Sequence, residues 1–203
     1  MNTMTMNDLI LLDYPDLLLY YKKKYGLPCG SYFLTESCKS GNSKISRAKE
    51  GLYCHHDKEW NEEDFSCHNL SDPELAREHS FEFQQPHNLT YVNLLEHFLL
   101  HLKIHQLRMD VFGVEELDGC EKFLIPQLND MYQTRKYKKP HLVATKDAIK
   151  DSYEDYQFLL LVYSKLFDKD LDYLKKLTMR TPYKKLDSEE ENSAKLCPQS
   201  ESK

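Results

Sequence analysis

Apolar residues recur three or four positions apart in several stretches of the chain, a spacing that places their side chains on one face of an α-helix. The strongest repeat consists of leucines and Phe98, and it follows Asn93, which is expected to cap the helix. Further ranges predicted to be helical are 9–25, 119–132, 145–166 and 168–177. The second half of the chain is therefore expected to be largely helical.

Short extended segments are indicated in the first half, where the helical spacing is absent. Apolar and polar residues alternate at 88–92, and shorter extended runs are predicted at 30–34 and 52–56. A proline after Ser71-Asp72 is typical of a helix start, so one turn of helix is expected at 73–78. The predicted fold class is α+β, mostly helical with a small β element.

The composition is that of a folded domain with a charged surface. Of 203 residues, 40% are hydrophobic and 30% charged, which excludes collagen-like, fully disordered and multi-span membrane classes. The net charge of −6 argues against a generally basic coat, so nucleic-acid binding would depend on local patches.

Charges and cysteines together predict a cytoplasmic protein that does not enter a membrane. Asp8, Asp13 and Asp16 interrupt the apolar stretch near the start, so no export signal is expected. The longest apolar run is far shorter than the ~20 residues of a membrane span. The six cysteines are scattered and include no C-x-x-C pair, which favours reduced thiols and argues against a cysteine-rich zinc knuckle.

Three local features contain residues suited to metal chemistry. His55 and His56 are adjacent at the end of a predicted strand, and alternation sends their side chains to opposite faces. Asn88 begins the next predicted strand. His97 and His101 are four residues apart in the helix that follows, so they share one helical face. Imidazole is a good ligand for transition metals, so one strand histidine and both helix histidines could bind a single divalent ion.

The order of these residues resembles the HNH family of ββα-metal nucleases. A His-His pair is followed by an asparagine, and then by the E-H-x-x-x-H motif at 96–101. The segment N-L-T-Y-V-N-L-L-E-H-F-L-L-H at 88–101 looks most like the phage and mobile-element branch. The matching part runs from about residue 52 to 104, roughly a quarter of the chain, and we find no family resemblance outside it.

The resemblance implies a fold, a reaction and residue roles. It implies a ββα-metal motif, built from a short hairpin and one helix, in which His55, His97 and His101 hold one divalent ion: Zn, Ni, Mn or Mg. His56 would activate the attacking water, and Asn88 would brace the loop that orients His56. The implied activity is hydrolysis of phosphodiester bonds, most simply in double-stranded DNA, to give 5′-phosphate and 3′-hydroxyl ends.

The chain departs from the family pattern between the two strands, where the connection is longer than usual. Residues 57–86 are interpreted as an acidic insertion. Asn69 lies within it and competes for the asparagine role, but only Asn88 has the family's distance to His97. The expected segments are 1–50 with an N-terminal helix and basic turns, 51–107 with the HNH core, 108–183 with the remaining helices, and 184–203 as a disordered tail.

Basic residues before the proposed hairpin form the candidate substrate-binding surface. Lys44, Arg47 and Lys49 are expected to contact phosphate groups of the nucleic acid. A second candidate patch interleaves bases with aromatic rings that could stack on nucleic acid. Its residues are Tyr132, Arg135, Lys136, Tyr137, Lys138 and Lys139.

Several interpretations stay open from the sequence alone. Glu59 could be a metal ligand, a neighbour of one or a repelling charge, and a solvated loop carboxylate is the simplest assignment. The histidines could instead hold a structural zinc, with Cys54 or Cys67 as fourth ligand, in a non-catalytic DNA- or protein-binding module. His105 continues the face of the helix histidines and is expected to be a hydrogen-bonded neighbour. A helical interaction protein whose histidines bind no metal is the third possibility.

Overall fold

The computed structural model describes residues 4–61, 66–67, 69–112, 119–133 and 136–179. Its α-helices, in chain order, are α1 (Met6–Leu9), α2 (Tyr14–Tyr25), α3 (Pro73–Glu78), α4 (Leu94–Phe112), α5 (Ile125–Tyr132), α6 (Pro140–Ile149), α7 (Tyr153–Leu166) and α8 (Leu171–Lys176). A π-helical turn, Cys120–Leu124, leads directly into α5. The strands are β1 (Tyr53–His56), β2 (Trp60–Asn61), β3 (Ser66–Cys67) and β4 (Leu89–Val92). The predicted tail at 184–203 lies outside the described residues.

The predicted α+β class is confirmed, because the protein is mostly helical with small antiparallel sheets. Strand β1 pairs with β4 in a register that sets Tyr53 opposite Val92 and His56 opposite Leu89. A second, two-residue ladder joins β2 to β3. Because α4 begins two residues after β4 ends, β1, β4 and α4 form a ββα unit although a long segment separates the two strands.

Some predicted elements differ from the observed ones for local reasons. The predicted helix at 9–25 is interrupted, because the Asp13 side chain accepts from the backbone N–H of Asp16 and caps a separate helix, α2. The predicted helix at 145–166 is divided between α6 and α7. The extended run at 30–34 contributes an isolated bridge, Phe33 to Gly41. The helix predicted at 73–78 is confirmed as α3.

Helix α2 is held to the ββα unit by two ion pairs between accessible lysines and buried carboxylates. Lys22 Nζ lies 2.5 Å from Asp57 Oδ2, just after β1. Lys24 Nζ lies 2.7 Å from Glu96 Oε1 in the first turn of α4. Glu96 also completes a reciprocal cap: its carboxylate accepts from the Asn93 backbone N–H at 2.8 Å, while Asn93 Oδ1 accepts from the Glu96 N–H at 2.9 Å. The expected capping role of Asn93 is confirmed, and α4 has a fixed starting point.

Helix α4 lies at the centre of the hydrophobic core. Its leucines and Phe98 are almost wholly buried and belong to one cluster that includes Leu17 of α2 and Tyr163 of α7. The Phe98 ring lies 5.9 Å from the Tyr163 ring. The histidine-bearing helix is therefore packed from several sides, which fixes the direction of its side chains.

No helix in the described ranges combines the length and the apolar character needed to cross a membrane.

Gly51, immediately before β1, is predicted to be sensitive to substitution. Its backbone is left-handed, with φ +76°, and an added Cβ would collide with the carbonyl oxygen of Ala144 and lie 2.8 Å from the Cβ of Ala148. We expect Gly51→Ala to lower the free energy of unfolding by about 2–4 kcal/mol, since backbone strain adds to the collision. Urea unfolding measures this change.

Gly41→Ala is the matched control, because nothing lies within 4 Å of a Cβ at that position. It should change the free energy of unfolding by less than about 1 kcal/mol. Equal unfolding midpoints for the two variants would contradict the packing of Gly51 against α6.

Candidate metal centre

Four side chains from two parts of the ββα unit converge on one point. His55 comes from β1, Glu59 from the 3₁₀ turn Asp57–Glu59 that follows it, and His97 and His101 from α4. One ligand atom from each lies within 4.8 Å of the others. This group could hold a metal ion, and it includes the three histidines that the sequence predicts as ligands.

The secondary structure explains the convergence. Tyr53 and His55 are two residues apart in β1 and face α4, where the Tyr53 ring stacks on His97 with centroids 5.9 Å apart. The His55 ring lies 5.2 Å from the His97 ring and 5.4 Å from the His101 ring. Because His97 and His101 are one helical turn apart, both reach the same strand residue.

The distances between the donor atoms suit a single small ion. Nε2 of His97 and Nε2 of His101 are 3.1 Å apart. Oε2 of Glu59 lies 3.2 Å from His101 Nε2 and 3.6 Å from His55 Nδ1. Ligand atoms about 2.0–2.2 Å from a tetrahedral ion are separated by roughly 3.3–3.6 Å. Little rearrangement is therefore needed for these four groups to bind one ion.

Tyr14 fixes the orientation of the His55 ring through a hydrogen bond at its Nε2 atom. Its hydroxyl donates to the backbone carbonyl of Asp57 at 3.1 Å and lies 2.8 Å from Nε2 of His55. The hydroxyl has one hydrogen and a carbonyl can only accept, so His55 Nε2 donates to the Tyr14 oxygen. The lone pair of His55 is then on Nδ1, the atom that faces Glu59. Contacts of this kind hold metal-binding histidines in the productive tautomer.

Burial keeps the histidines in the form that binds metal. It holds the pKa of His55 and of His97 well below the usual value, and the neighbouring His101 lowers both further. A neutral imidazole is the ligand form, so protons compete weakly with a metal at these two positions. His97 and His101 are the partly exposed members, with 17% of the His101 side chain accessible, whereas His55 and Glu59 are buried. The group therefore opens to solvent on that side.

Metal affinity should consequently fall only gently as the pH drops from about 6.5 to 5.5. Three ordinary histidines with a pKa near 6.5 would together weaken binding by roughly 150-fold over this range, because each would lose about five- to sixfold to a competing proton. Since His55 and His97 stay neutral, we expect a decrease of less than about tenfold. Competition with a chelator at several pH values measures the change, and a decrease of about a hundredfold or more would contradict the expectation.

His56 points to the other face of β1, as alternation predicts, and it is fully buried. Its Nε2 lies 2.9 Å from the amide oxygen of Gln84, and the Tyr32 ring packs beside it with centroids 4.5 Å apart. Its Nδ1 has no hydrogen-bond partner among the described residues and lies 4.0 Å from Oε1 of Glu59. Burial lowers the pKa of His56, while Glu59 and Gln84 act in the opposite direction. A ring nitrogen of His56 thus lies beside a carboxylate of the metal group.

Asn88 does not touch His56. Its side-chain N–H donates to the carbonyl of Glu82 at 2.9 Å, in the 3₁₀ turn Phe81–Gln84. The same turn carries Gln84, the partner of His56. Asn88 is therefore connected to His56 through this turn. Asn69, the competing asparagine, is exposed and accepts from the Ser71 hydroxyl.

One expectation about a neighbouring residue needs correction. Glu59 is 8% exposed and belongs to the metal group, so its assignment as a solvated loop carboxylate is wrong. Its spacing of four from His55 within a tight turn is a signal that could have identified it. His105, which was not expected to be a ligand, is not a member of the group, and its ring packs against the ring of Phe167 with centroids 3.9 Å apart.

No cysteine belongs to the group among the side chains that the structure describes. Cys54 lies on the opposite face of β1, where it lines a pocket of about 420 Å³ together with Tyr32 and Arg47. Burial raises the pKa of its thiol to about 12, and the carboxylates of Asp57 and Glu59 act in the same direction. The side chain of Cys67 lies outside the described residues.

The basic residues proposed to bind substrate have different surroundings. Lys44 and Lys49 are exposed, and Lys44 lies in the chain between Ser43 and Ile45, which line the pocket that includes Cys54. Arg47 is committed to the fold, because its guanidinium pairs with Glu50 and donates to the carbonyl of Tyr25 at 2.8 Å. Lys44 and Lys49 therefore remain the accessible candidates for phosphate contact.

The second basic patch lies away from the metal group, around the end of α5. The Tyr132 ring packs against Tyr153 and Tyr156, so its faces are largely covered by other rings. Lys136, Lys138 and Lys139 are exposed, whereas Arg135 lies outside the described residues.

Comparison with known proteins identifies no relative: no family model, curated protein or solved structure matches this chain. The geometry and the donor chemistry of the site therefore carry the functional argument.

Proposed function

We propose that this protein is a metal-dependent HNH-type endonuclease that hydrolyses phosphodiester bonds of DNA. The observation that supports the proposal is the unpartnered Nδ1 of His56, which lies 4.0 Å from Glu59 of a three-histidine, one-carboxylate group. A neutral base next to a group that could hold a divalent ion is the pairing that metal-assisted hydrolysis requires. The ββα arrangement of β1, β4 and α4 is compatible with the resemblance noted at 52–104.

Each residue has a distinct task in this proposal. A divalent ion held by His55, Glu59, His97 and His101 would stabilise negative charge on the phosphate and on the departing 3′ oxygen. His56 accepts a proton from the attacking water at Nδ1. The resulting hydroxide attacks phosphorus, the bond to the 3′ oxygen breaks, and that oxygen takes a proton from solvent water while His56 returns its proton to solvent. The products carry 5′-phosphate and 3′-hydroxyl ends. The lowered pKa of His56 keeps the imidazole neutral, and hence able to accept, at neutral pH.

The donor set also bears on the metal and the substrate. Three imidazole nitrogens and one carboxylate oxygen suit Zn²⁺, Ni²⁺ or Mn²⁺, whereas Mg²⁺ prefers more oxygen ligands. The chain has a net charge of −6, so contact with the DNA backbone would rest on local groups such as Lys44 and Lys49. We expect the nicking rate to fall steeply with added salt, because such contacts release counterions.

Plasmid nicking tests the proposal. Metal-free protein would be incubated with supercoiled plasmid and Mn²⁺, Ni²⁺, Zn²⁺ or Mg²⁺, each with and without EDTA. We expect nicking with at least one transition metal, none with EDTA, and ligatable 5′-phosphate ends. If metal-loaded protein nicks neither plasmid nor single-stranded DNA under any of these conditions, the proposal fails.

A second candidate function is a zinc-stabilised, non-catalytic DNA- or protein-binding module. It is favoured by one observation, that four protein side chains converge, which is the ligand number of a structural zinc site. The fourth member is Glu59, where the sequence suggested a cysteine. This alternative predicts tightly held zinc, no nicking, and a large loss of thermal stability when a chelator removes the ion.

A further inference from the structure

The inserted segment, residues 57–86, places a second polar side chain beside the site in addition to Glu59, that of Gln84. Gln84 ends the 3₁₀ turn Phe81–Gln84 and is 0% exposed. Both ends of its amide are bound: Nε2 donates to the carbonyl of Leu70 at 3.2 Å, and Oε1 lies 2.9 Å from Nε2 of His56. No sequence pattern points to this residue, because a glutamine is expected neither to bind a metal nor to act as a base, and Gln84 lies far from His56 in the chain.

The contacts of Gln84 determine which nitrogen of His56 carries the hydrogen. A backbone carbonyl can only accept, so the amide N–H₂ of Gln84 must face Leu70. The amide oxygen therefore faces His56, and it too can only accept. Nε2 of His56 must then be the donor, and a neutral imidazole has only one N–H. The lone pair is left on Nδ1, the atom 4.0 Å from Glu59.

We infer that Gln84 is a positioning residue for the proposed reaction: it holds His56 as the Nε2–H tautomer, with Nδ1 ready to accept the proton of water. The inference rests on the proposed role of His56 as general base. In the opposite tautomer the hydrogen would be on Nδ1, and the nitrogen beside the metal group could not accept a proton. A catalytic histidine held in the wrong tautomer loses up to about 10⁴-fold in rate in serine proteases.

The turn that carries Gln84 is itself anchored on both sides. The backbone carbonyl of Gln84 accepts from the Tyr32 N–H at 2.8 Å, and the Tyr32 ring covers His56. Asn88 holds the carbonyl of Glu82 two residues earlier. The bracing role proposed for Asn88 therefore reaches His56 through Gln84.

Nitrogen NMR of the imidazole rings tests the inference without any activity. Spectra of protein labelled with ¹⁵N-histidine would be recorded near neutral pH. The spectrum of the His56→Ala variant would be used to assign the His56 signals. We expect His56 to be the Nε2–H tautomer in the wild-type protein. We expect this preference to weaken in Gln84→Leu, which fills the volume but removes the acceptor. An Nδ1–H tautomer in the wild-type protein would overturn the inference.

The nicking kinetics of Gln84 variants distinguish a positioning role of Gln84 from a packing role. Gln84→Glu keeps an oxygen that accepts from the Nε2–H of His56, so we expect it to keep the tautomer and nicking within a few-fold of wild type. Gln84→Leu should lower kcat at least about tenfold with little change in KM. The control is Gln85→Leu, because the side-chain amide of Gln85 donates to the carbonyl of Phe81 and does not touch His56.

The possible failures are distinguishable. Wild-type nicking with an Nδ1–H tautomer would reject the inference while the proposed function stands. If His56 is the Nε2–H tautomer but the wild-type protein does not nick DNA, the proposed function is rejected, and with it the role of Gln84 in positioning a catalytic base. Equal kcat in Gln84→Leu and Gln85→Leu would also reject the positioning role. If Gln84→Leu does not fold, the His56 tautomer of the wild-type protein and the nicking rate of Gln84→Glu still test the inference. It requires the Nε2–H tautomer in the first case and a rate within a few-fold of wild type in the second.

Discussion

Plasmid nicking is expected to fall by about 10²–10⁴-fold when His56 is replaced by alanine, the usual effect of losing a general base. His56 is the buried histidine whose ring nitrogen lies beside the metal group without belonging to it. Alanine leaves the four candidate ligands in place, so the variant should still bind one ion per chain. A loss of rate with retained metal is therefore the expected signature.

Two comparisons make this result interpretable. His87→Ala removes an exposed imidazole, 61% accessible, that contacts Glu82, and it should leave nicking unchanged within about twofold. His56→Gln retains a donor for Gln84 while removing the base, so it should fold well and remain inactive. Full activity in either His56 variant would assign proton transfer to another group, whereas loss of bound metal would indicate that His56 supports the centre.

Replacing His101 by alanine is expected to lower metal affinity by about a hundredfold. Structural zinc sites with four ligands bind with about 10–16 kcal/mol, or roughly 3 kcal/mol for each ligand, and 1.4 kcal/mol corresponds to tenfold. Removing His97 as well should abolish binding at micromolar metal, because only His55 and Glu59 would remain. Calorimetric titration of metal-free protein measures both effects.

His101 suits this test because it is the most exposed histidine of the group, so its loss should not disturb the core. The control is His141→Ala, which removes an exposed histidine at the start of α6. It should bind metal as the wild-type protein does. An unchanged affinity in the His101 variant would mean that the ion, if one binds, lies elsewhere.

Sequence reasoning predicted the parts of the site that lie in regular elements. The spacing of His97 and His101 fixes them to one helical face, and the Asn93–Glu96 cap sets where that helix begins. Alternation in β1 separates His55 from His56, and the resemblance to HNH nucleases assigned His55, whose backbone pairs opposite Thr90, to the ion. Local periodicity was therefore sufficient for the helix histidines, whereas the choice between the two strand histidines needed the resemblance.

The residues that sequence reasoning missed lie in turns whose paths depend on tertiary contacts. Glu59 reaches the group because the chain turns sharply after β1, where Lys22 of a distant helix holds Asp57. Gln84 meets His56 because its turn is bound to Tyr32 and Asn88. No periodic pattern encodes such contacts.

Arg47 illustrates a related limit of predicting binding residues from the sequence. Its charge suggested phosphate binding, but Glu50, three residues later, neutralises it and Tyr25 accepts one of its N–H groups. A charge can be counted from the sequence, whereas its partner is known only from the fold. Lys44 and Lys49, by contrast, are exposed.

X-ray absorption spectroscopy of the metal-loaded protein, with metal analysis of the same sample, tests the central claim most directly. The claim is that His55, Glu59, His97 and His101 share one ion. It predicts one ion per chain, with a first shell of nitrogen and oxygen atoms at about 2.0–2.2 Å and the scattering pattern of three imidazoles. A sulfur ligand at about 2.3 Å, or a shell with no imidazole scattering, would contradict it.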